Sequence, residues 1–159
     1  TDNNYVKIMS LKALGTSLGV GDADSVAAAI RYAEIKGASI CNLSLCTYTS
    51  YPQLEQVIRD SNMLFVVSAG NGDVYGKGYD ISASPVYPAS YPYDNIISVG
   101  NLMFDGNLDP SSNFSSQQVD LAAPGTYILS CTTGHSFGFM SGTSRSAPRV
   151  TGVGAMLYS

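Results

Sequence analysis

With 159 residues, 45 % of them hydrophobic and 13 % charged, the chain is long enough for one domain with a real core and too short for two comfortable ones. A net charge of −4 and the lack of any Lys/Arg cluster argue against a nucleic-acid or anionic-membrane partner. No apolar run approaches bilayer length, so no stretch of the sequence reads as a membrane span.

Low charge together with 16 Gly and 11 Tyr points to a well-packed α/β protein with many tight turns. The chain opens at Thr1 without an initiator Met. It is expected to be a piece of a longer protein, in which case missing targeting signals say little about location. Its three cysteines, Cys41, Cys46 and Cys131, cannot all pair internally. Cys41 and Cys46 fall in one extended segment, too far apart to bridge each other. No metal-type spacing is present, and all three read as buried small hydrophobes.

In chain order, Tyr5 to Leu11 alternates and reads as a strand. Gly15 to Asp22 is a glycine-rich turn whose spacing fits neither the dinucleotide fingerprint nor the P-loop, so a nucleotide-binding reading has only that turn behind it. Asp22 or Asp24 caps a helix that runs through Lys36, with Val26, Ala27, Ile30 and Ala33 inward and Gly37 as its stop. Ser39 to Leu45 is a strand. Pro52 opens a second helix carrying Leu54, Val57 and Ile58. Met63 to Ala69 is a continuous apolar run, the pattern of a central parallel strand. The long segment from Asp73 to Asp94 is rich in Gly, Tyr, Ser and Pro, and a loop of that length inside a domain is usually functional.

Asn95 to Gly100 is the next strand, and Asp105-Gly106 marks a turn. Val119 to Ala122 and Tyr127 to Cys131 read as short strands around a Pro124-Gly125 turn. Gly134 to Phe139 reads as a turn leading into the last helix. That helix starts near Ser144, and Val150, Val153 and Met156 recur at helical spacing as its buried face. Pro148 falls early enough for its missing N–H to cost little. Strands alternating with helices predict a mainly parallel sheet flanked by helices, a three-layer α/β fold with its site at the carboxyl ends of the strands. Leu45-Cys46, Gly70-Asn71 and the approach to Ser144 are the candidates for that rim.

Ser144 in isolation is an N-cap, and Asn71 in isolation is a turn residue. Their surroundings favour more. The segment Gly142-Thr143-Ser144-Arg145-Ser146-Ala147-Pro148, followed by a helix rich in Val, Gly and Ala, resembles the nucleophile motif of the subtilisin-like serine proteases. Further segments resemble that family in its order: Asn42 to Leu45, Val66 to Gly72, Tyr87 to Gly100 and Phe114 to Gly125. The resemblance runs essentially from end to end, and it implies that the chain is the C-terminal part of a single subtilisin-like catalytic domain.

By that resemblance Ser144 is the nucleophile and Asn71 the oxyanion donor. Ser44, Leu45 and Cys46 line the substrate cleft, Ala69 and Gly70 form its opposite wall, and Val86 lies at the floor of the main specificity pocket. Asp120 with the carbonyls of Ala89 and Tyr91 matches a weak Ca²⁺ or Na⁺ site in some relatives, the alternative being that Asp120 ends a strand. No cofactor is required beyond such an ion. The family has Met and His where this chain has Arg145 and Arg149, and Gly where it has Cys46.

The family's catalytic Asp and His fall N-terminal to this chain's first residue. The single histidine, His135, matches a variable loop and reads as a surface residue. The implied partners are a polypeptide substrate and the missing N-terminal half. Without that half, the resemblance implies an inert chain with open strand edges, prone to strand-swapped self-association. A peptide-binding pseudoprotease is the alternative, and a secretory location is implied by the family alone. Asn42-Leu43-Ser44 and Asn113-Phe114-Ser115 match the glycosylation pattern. The first falls on a core strand and reads as a chance match, and the second is a candidate acceptor if the protein is secreted.

Overall fold

The computed structural model describes residues 6–15 and 20–158. Helix α1 (Ala23–Ile35) begins where Asp22, in extended conformation, accepts from Ser25 N–H at 2.7 Å. This satisfies one of the N–H groups that a helix start leaves without a partner, so Asp22 and not Asp24 is the cap. Val26, Ala27, Ile30 and Ala33 form the buried stripe, and the helix stops at Gly37, whose φ of 83° suits only glycine well. Strand β1 (Ile40–Leu43) follows, then α2 (Pro52–Arg59), which has Pro at its start and buries Leu54, Val57 and Ile58.

Strands β2 (Leu64–Ser68), β3 (Ile96–Leu102) and β4 (Leu121–Pro124) complete a four-stranded parallel sheet in the order β1-β2-β3-β4. Strands β5 (Ile128–Thr132) and β6 (Ser136–Met140) make an antiparallel hairpin, and α3 (Thr143–Tyr158) returns across the sheet. Helices α1 and α2 pack together in one outer layer, and α3 covers the other face against all four strands.

Alternate residues of β2 therefore meet different partners. Phe65 and Val67 belong to the core that contains Ile30, Leu54 and Ile58. Val66 joins Val99, Ala123 and Ala147 beneath α3. A strand covered on both faces has no solvent side, which accounts for the apolar run from Met63 to Val67 and the burial of Ser68 after it.

Three expectations differ from the structure. Residues 6–11 form no strand and Ile8 is 81 % exposed; among the described residues β1 is bonded only to β2, so they have no ladder to join. Tyr5, and residues 16–19 of the glycine-rich turn, lie outside the described residues. Ser136–Met140 is a strand and not a turn, because the tight turn at Gly134 and His135, both at positive φ, lets the chain pair back on β5. Val153 and Met156 of α3 are 51 % and 66 % exposed. The helix crosses edge strand β1 at Gly154, where an added Cβ would lie 3.3 Å from Ile40 Cδ1, and its last turn runs past the sheet. Its buried residues are Thr143, Ser146 and Ala147.

Candidate active site

The ends of β1 and β2 and the start of α3 meet at one rim. Ser144 is the second residue of α3 and half-buried. Four residues on, Pro148 lies in the helix interior and not in its first turn. Proline has no N–H to give the carbonyl four residues back, which here is Ser144 O. That carbonyl instead accepts from Ser44 Oγ at 3.0 Å. Ser144 Oγ in turn donates to Ser44 O at 3.3 Å, so the two serines clasp each other across 100 positions of sequence. Asn42 Nδ2 donates to Ser44 Oγ at 2.9 Å, and Thr151 Oγ1 donates to Asn42 Oδ1 at 2.9 Å. The chain of contacts fastens the end of β1 to the first turns of α3.

Replacing Ser44 by Ala removes the acceptor of Asn42 and the donor to Ser144 O. A net loss of roughly 1–2 kcal/mol follows from the usual cost of such orphaned groups. Denaturant unfolding of the full-length protein checks it, and an unchanged midpoint would show that the clasp contributes nothing.

Asn71 follows β2 and is exposed. Its Oδ1 accepts from Thr143 N at 2.8 Å and from Thr143 Oγ1 at 2.9 Å. A backbone N–H can bond only to the oxygen of an amide, so this contact fixes which way Asn71 faces. Nδ2 is the end left to donate. Thr143, fully buried, also accepts from Gly70 N at 3.2 Å. Gly70 is at φ 97°, and a Cβ there would lie 2.5 Å from Asn113 Nδ2. Gly142 is at φ 132°, with Asn71 Oδ1 3.0 Å from where its Cβ would be. The rim is closed at both positions to any side chain.

Beneath it lies Asn113, 1 % exposed. Its Oδ1 accepts from Gly72 N at 3.0 Å and from Tyr79 N at 3.3 Å, and its Nδ2 donates to Ala69 O at 3.0 Å. The candidate glycan acceptor is therefore an interior pin whose amide nitrogen is already engaged. Asn42, expected in the core, is the exposed one of the two.

Ser44, Leu45 and Cys46 leave the ladder after Leu43 and border the rim, with Leu45 packed against the core and Cys46 exposed. Ala69 is fully buried, and Gly70 O is taken by Asn113 N at 3.1 Å, so this wall gives shape to the cleft while its polar groups serve the loop. Val86 is fully buried, its Cγ1 3.5 Å from where a Gly70 Cβ would stand.

A second buried network supports α3 from below. Asn101, fully buried, donates from Nδ2 to Thr126 Oγ1 at 3.1 Å, and its Oδ1 accepts from Ser146 Oγ at 3.4 Å. Thr126 Oγ1 donates to Asp109 Oδ2 at 2.7 Å. Burial pushes the Asp109 carboxyl up, but hydrogen bonds from Thr126 and Ser111 outweigh it and hold the group below the usual carboxylate range. The folded protein thus binds that proton less tightly than the unfolded chain does. The stabilisation is complete above the ordinary carboxylate range and is lost as pH falls through the lowered value. Asp109→Asn is expected to flatten the acid limb of a stability-against-pH curve, and an unchanged limb would contradict this. The structural roles of Thr143, Asn113, Asn101 and Ser146 are not legible in the sequence, where Asn113 reads only as a glycan acceptor, because nothing local marks a polar residue as interior.

His135 sits exposed in the hairpin turn at φ 58°, in a shallow groove bordered by Cys131, Thr132, Gly134, Ser136 and Phe137, away from Ser144. All three cysteines are free. Cys46 and Cys131 are exposed, against expectation, since one follows β1 out of the ladder and the other lies on a hairpin with one open face. Burial pushes the Cys41 thiol up to about 11. Slow alkylation of Cys41 at pH 8, accelerating towards pH 11, is the expected result.

Asp120 accepts from Ser98 N at 2.7 Å on Oδ2 and donates its own N–H to Ser98 O at 3.1 Å. It links β3 to the start of β4. Ca²⁺ takes about six to eight oxygen ligands. Asp120 Oδ2 is spent on Ser98 N–H, which supports its reading as the residue that ends a strand, and no step is assigned to an ion.

The chain has counterparts among known proteins. The profile of the subtilase family (peptidase S8) matches residues 3–159. The chain is 35 % identical over 96 % of its length to a thermophilic serine proteinase of Bacillus sp. (strain AK1), and spans 36 % of that protein. It is 31 % identical to the major intracellular serine protease of Bacillus subtilis (strain 168) over 96 % of its length and 47 % of the relative's. With thermitase of Thermoactinomyces vulgaris it shares 32 % identity, over 96 % of this chain and 51 % of that one. The crystal structure of a cold-adapted subtilisin-like serine proteinase superposes with a TM-score of 0.72 at 28 % identity, over 87 % of this chain and 49 % of the other. The chain thus spans half or less of most of these relatives while matching them nearly from end to end. With its helix-borne serine, its Asn-bearing loop after the second sheet strand and this alignment, the chain belongs to the subtilase family.

Proposed function

We propose that this chain supplies the nucleophile, the oxyanion donor and the cleft of a subtilisin-type serine endopeptidase, and that the general base and its orienting carboxylate reach Ser144 from outside these 159 residues. The observation that carries the reading is the Asn71 amide. Its oxygen is held by both donors of Thr143, the neighbour of Ser144, so its nitrogen is the end presented for an oxyanion.

In this reading a substrate strand lies along Ser44–Cys46. Ser144 Oγ leaves Ser44 O, passes its proton to an imidazole and attacks the scissile carbonyl. The new oxyanion is met by Asn71 Nδ2 and by the Ser144 N–H, one of the donors that a first helical turn leaves without an internal acceptor. Collapse expels the amine, which takes the proton from the imidazole. Water then cleaves the acyl-enzyme by the same route in reverse. The one histidine of the chain, His135, lies in the exposed hairpin turn, so the chain alone is read as inert.

Two surfaces support an incoming half-domain. Among the described residues strand β1 has one bonded edge, and the last turn of α3 leaves Met156, Leu157 and Tyr158 exposed. In the absence of that half, strand exchange between copies of the chain would use the same edge. Location does not follow from family membership, since one relative is named an intracellular protease. Among the described residues no helix is long and apolar enough to cross a membrane.

Val86 fills the pocket floor with a β-branched group and no charge. A substrate profile of the full-length protein is expected to favour small or medium uncharged residues, and one dominated by Arg, Lys or Trp would contradict this. The reading as a whole is tested by treating the full-length protein with a fluorophosphonate and mapping the adduct. Modification at Ser144, absent from Ser144→Ala, is expected. Peptide binding with no modification would establish the pseudoprotease alternative.

A further inference from the structure

Residue Arg145 follows the nucleophile directly, and Arg149 stands one turn further along α3. Thr143, Ser146 and Ala147 turn towards the sheet, while Arg145, Pro148 and Arg149 line a groove between α3 and β5 with Ile128, Ser130 and Cys131. The groove is open and about 510 Å³ in volume. Two guanidinium groups on one stretch of helix repel each other unless something neutralises them. Among the described residues the one ion pair is Arg59 with Asp60, so neither Arg145 nor Arg149 is neutralised by contact.

Arg145 Nη2 donates to Met140 Sδ at 2.8 Å. A thioether is a weak acceptor, and a guanidinium carries five N–H donors. The contact therefore holds the side chain over β6 and leaves most of its donors unspent. An arginine fork matches a carboxylate in both geometry and charge.

The groove borders β5, whereas the segment read as pairing with substrate starts at Ser44, past the end of β1. Ser144 Oγ touches Ser44 O, the start of the segment along which the acyl half of a substrate would pair. Arg145 instead reaches to the β5–β6 hairpin, so with the acyl half paired along Ser44–Cys46 the hairpin side is the one left for the departing half.

We propose that Arg145 and Arg149 form a carboxylate-binding subsite for the leaving-group half of the substrate, so that the enzyme selects Asp or Glu within the first residues after the scissile bond. The proposal rests on the peptidase reading above. Met140 steadies the first arginine, and Arg149 extends the positive field along the groove. Selection weakens with salt, because both groups are partly open to solvent.

The test uses the full-length protein and a peptide series differing only in the first two residues after the scissile bond. Glu is expected to exceed Ala in kcat/KM on the order of 10-fold, the ratio that one charge-assisted contact supplies. Arg145→Met should abolish the ratio, Arg145→Lys should retain part of it, and Arg145→Glu should invert it in favour of Lys-containing peptides. A second arm measures fluorescence anisotropy of a labelled peptide beginning Glu-Glu against one beginning Ala-Ala, on the Ser144→Ala protein.

Cleavage with no preference for acidic residues, unaltered by Arg145→Glu, would overturn the subsite and leave the peptidase reading intact. Absence of both cleavage and fluorophosphonate labelling would overturn the peptidase reading. The anisotropy arm then decides the subsite alone, and equal affinity for the two labelled peptides would sink it.

Discussion

Replacing Asn71 by Ala in the full-length protein is expected to lower kcat by about 10²–10³-fold with KM little changed, a range carried over from loss of one oxyanion amide in subtilisin. The amide nitrogen meets charge that exists only once the nucleophile has added. Its removal therefore leaves the bound substrate alone and raises the barrier. Ala also takes away Oδ1, the acceptor for Thr143 N–H and Thr143 O–H, so a fall in kcat could come from a loosened helix start. Asn71→Asp separates the two effects. It keeps an oxygen for Thr143 and sets a second, negatively charged oxygen where Nδ2 was. The donor account requires Asp to be at least as damaging as Ala, whereas an account based on anchoring Thr143 requires Asp to be much milder. Steady-state kinetics of the two variants decides between them.

Asn113→Leu is expected to be among the most destabilising single changes in the chain. The side chains are of similar size, so little cavity arises, but three hydrogen bonds vanish together. Gly72 N–H, Tyr79 N–H and Ala69 C=O would all be left without their partner in the interior. At ~1–3 kcal/mol for each buried group so orphaned, and allowing for some relaxation, the loss is about 3–5 kcal/mol. For a catalytic domain larger than this chain, that corresponds to a fall in Tm on the order of 10 °C. The loop in question carries Gly70 and Asn71, so kcat should fall as well. A Tm within two or three degrees of wild type, by calorimetry on the full-length protein (roughly 1 kcal/mol on the same scaling), would show that water replaces the amide without loss.

The helices α1 and α2 and the central strands were legible in the sequence because their signals are local. Asp22 and Pro52 start the helices, Gly37 stops α1, and the apolar stripe repeats at 3.6 residues or runs unbroken. What was not legible depends on distant partners. Alternation in Tyr5 to Leu11 suggests a strand, but a strand exists only where a neighbour offers a ladder, and among the described residues β1 has its one bonded neighbour in β2, so residues 6–11 form none. The apolar stripe of α3 continues to Met156, yet the sheet beneath it ends sooner. Pro148 looks costly at its interior position until Ser44 is found on the carbonyl it leaves free, 100 residues away in the chain.

The site divides in the same way. Ser144 and Asn71 stand out by resemblance to a family motif. Asn113 and Asn101 look like loop and strand-end residues until the fold closes around them. A glycosylation pattern is three residues long and carries no information about burial, so it does not show that Asn113 is interior and Asn42 exposed.

The central claim is that the activating base lies outside this chain, and reconstitution tests it most directly. The 159-residue chain is treated with a fluorophosphonate probe alone and after mixing with a separate polypeptide carrying the rest of the catalytic domain, with Ser144→Ala as the control. The account predicts no labelling of the chain alone and labelling of Ser144 in the mixture, because the triad depends on geometry and not on chain continuity. Labelling of Ser144 in the isolated chain at the rate seen in the mixture would contradict it.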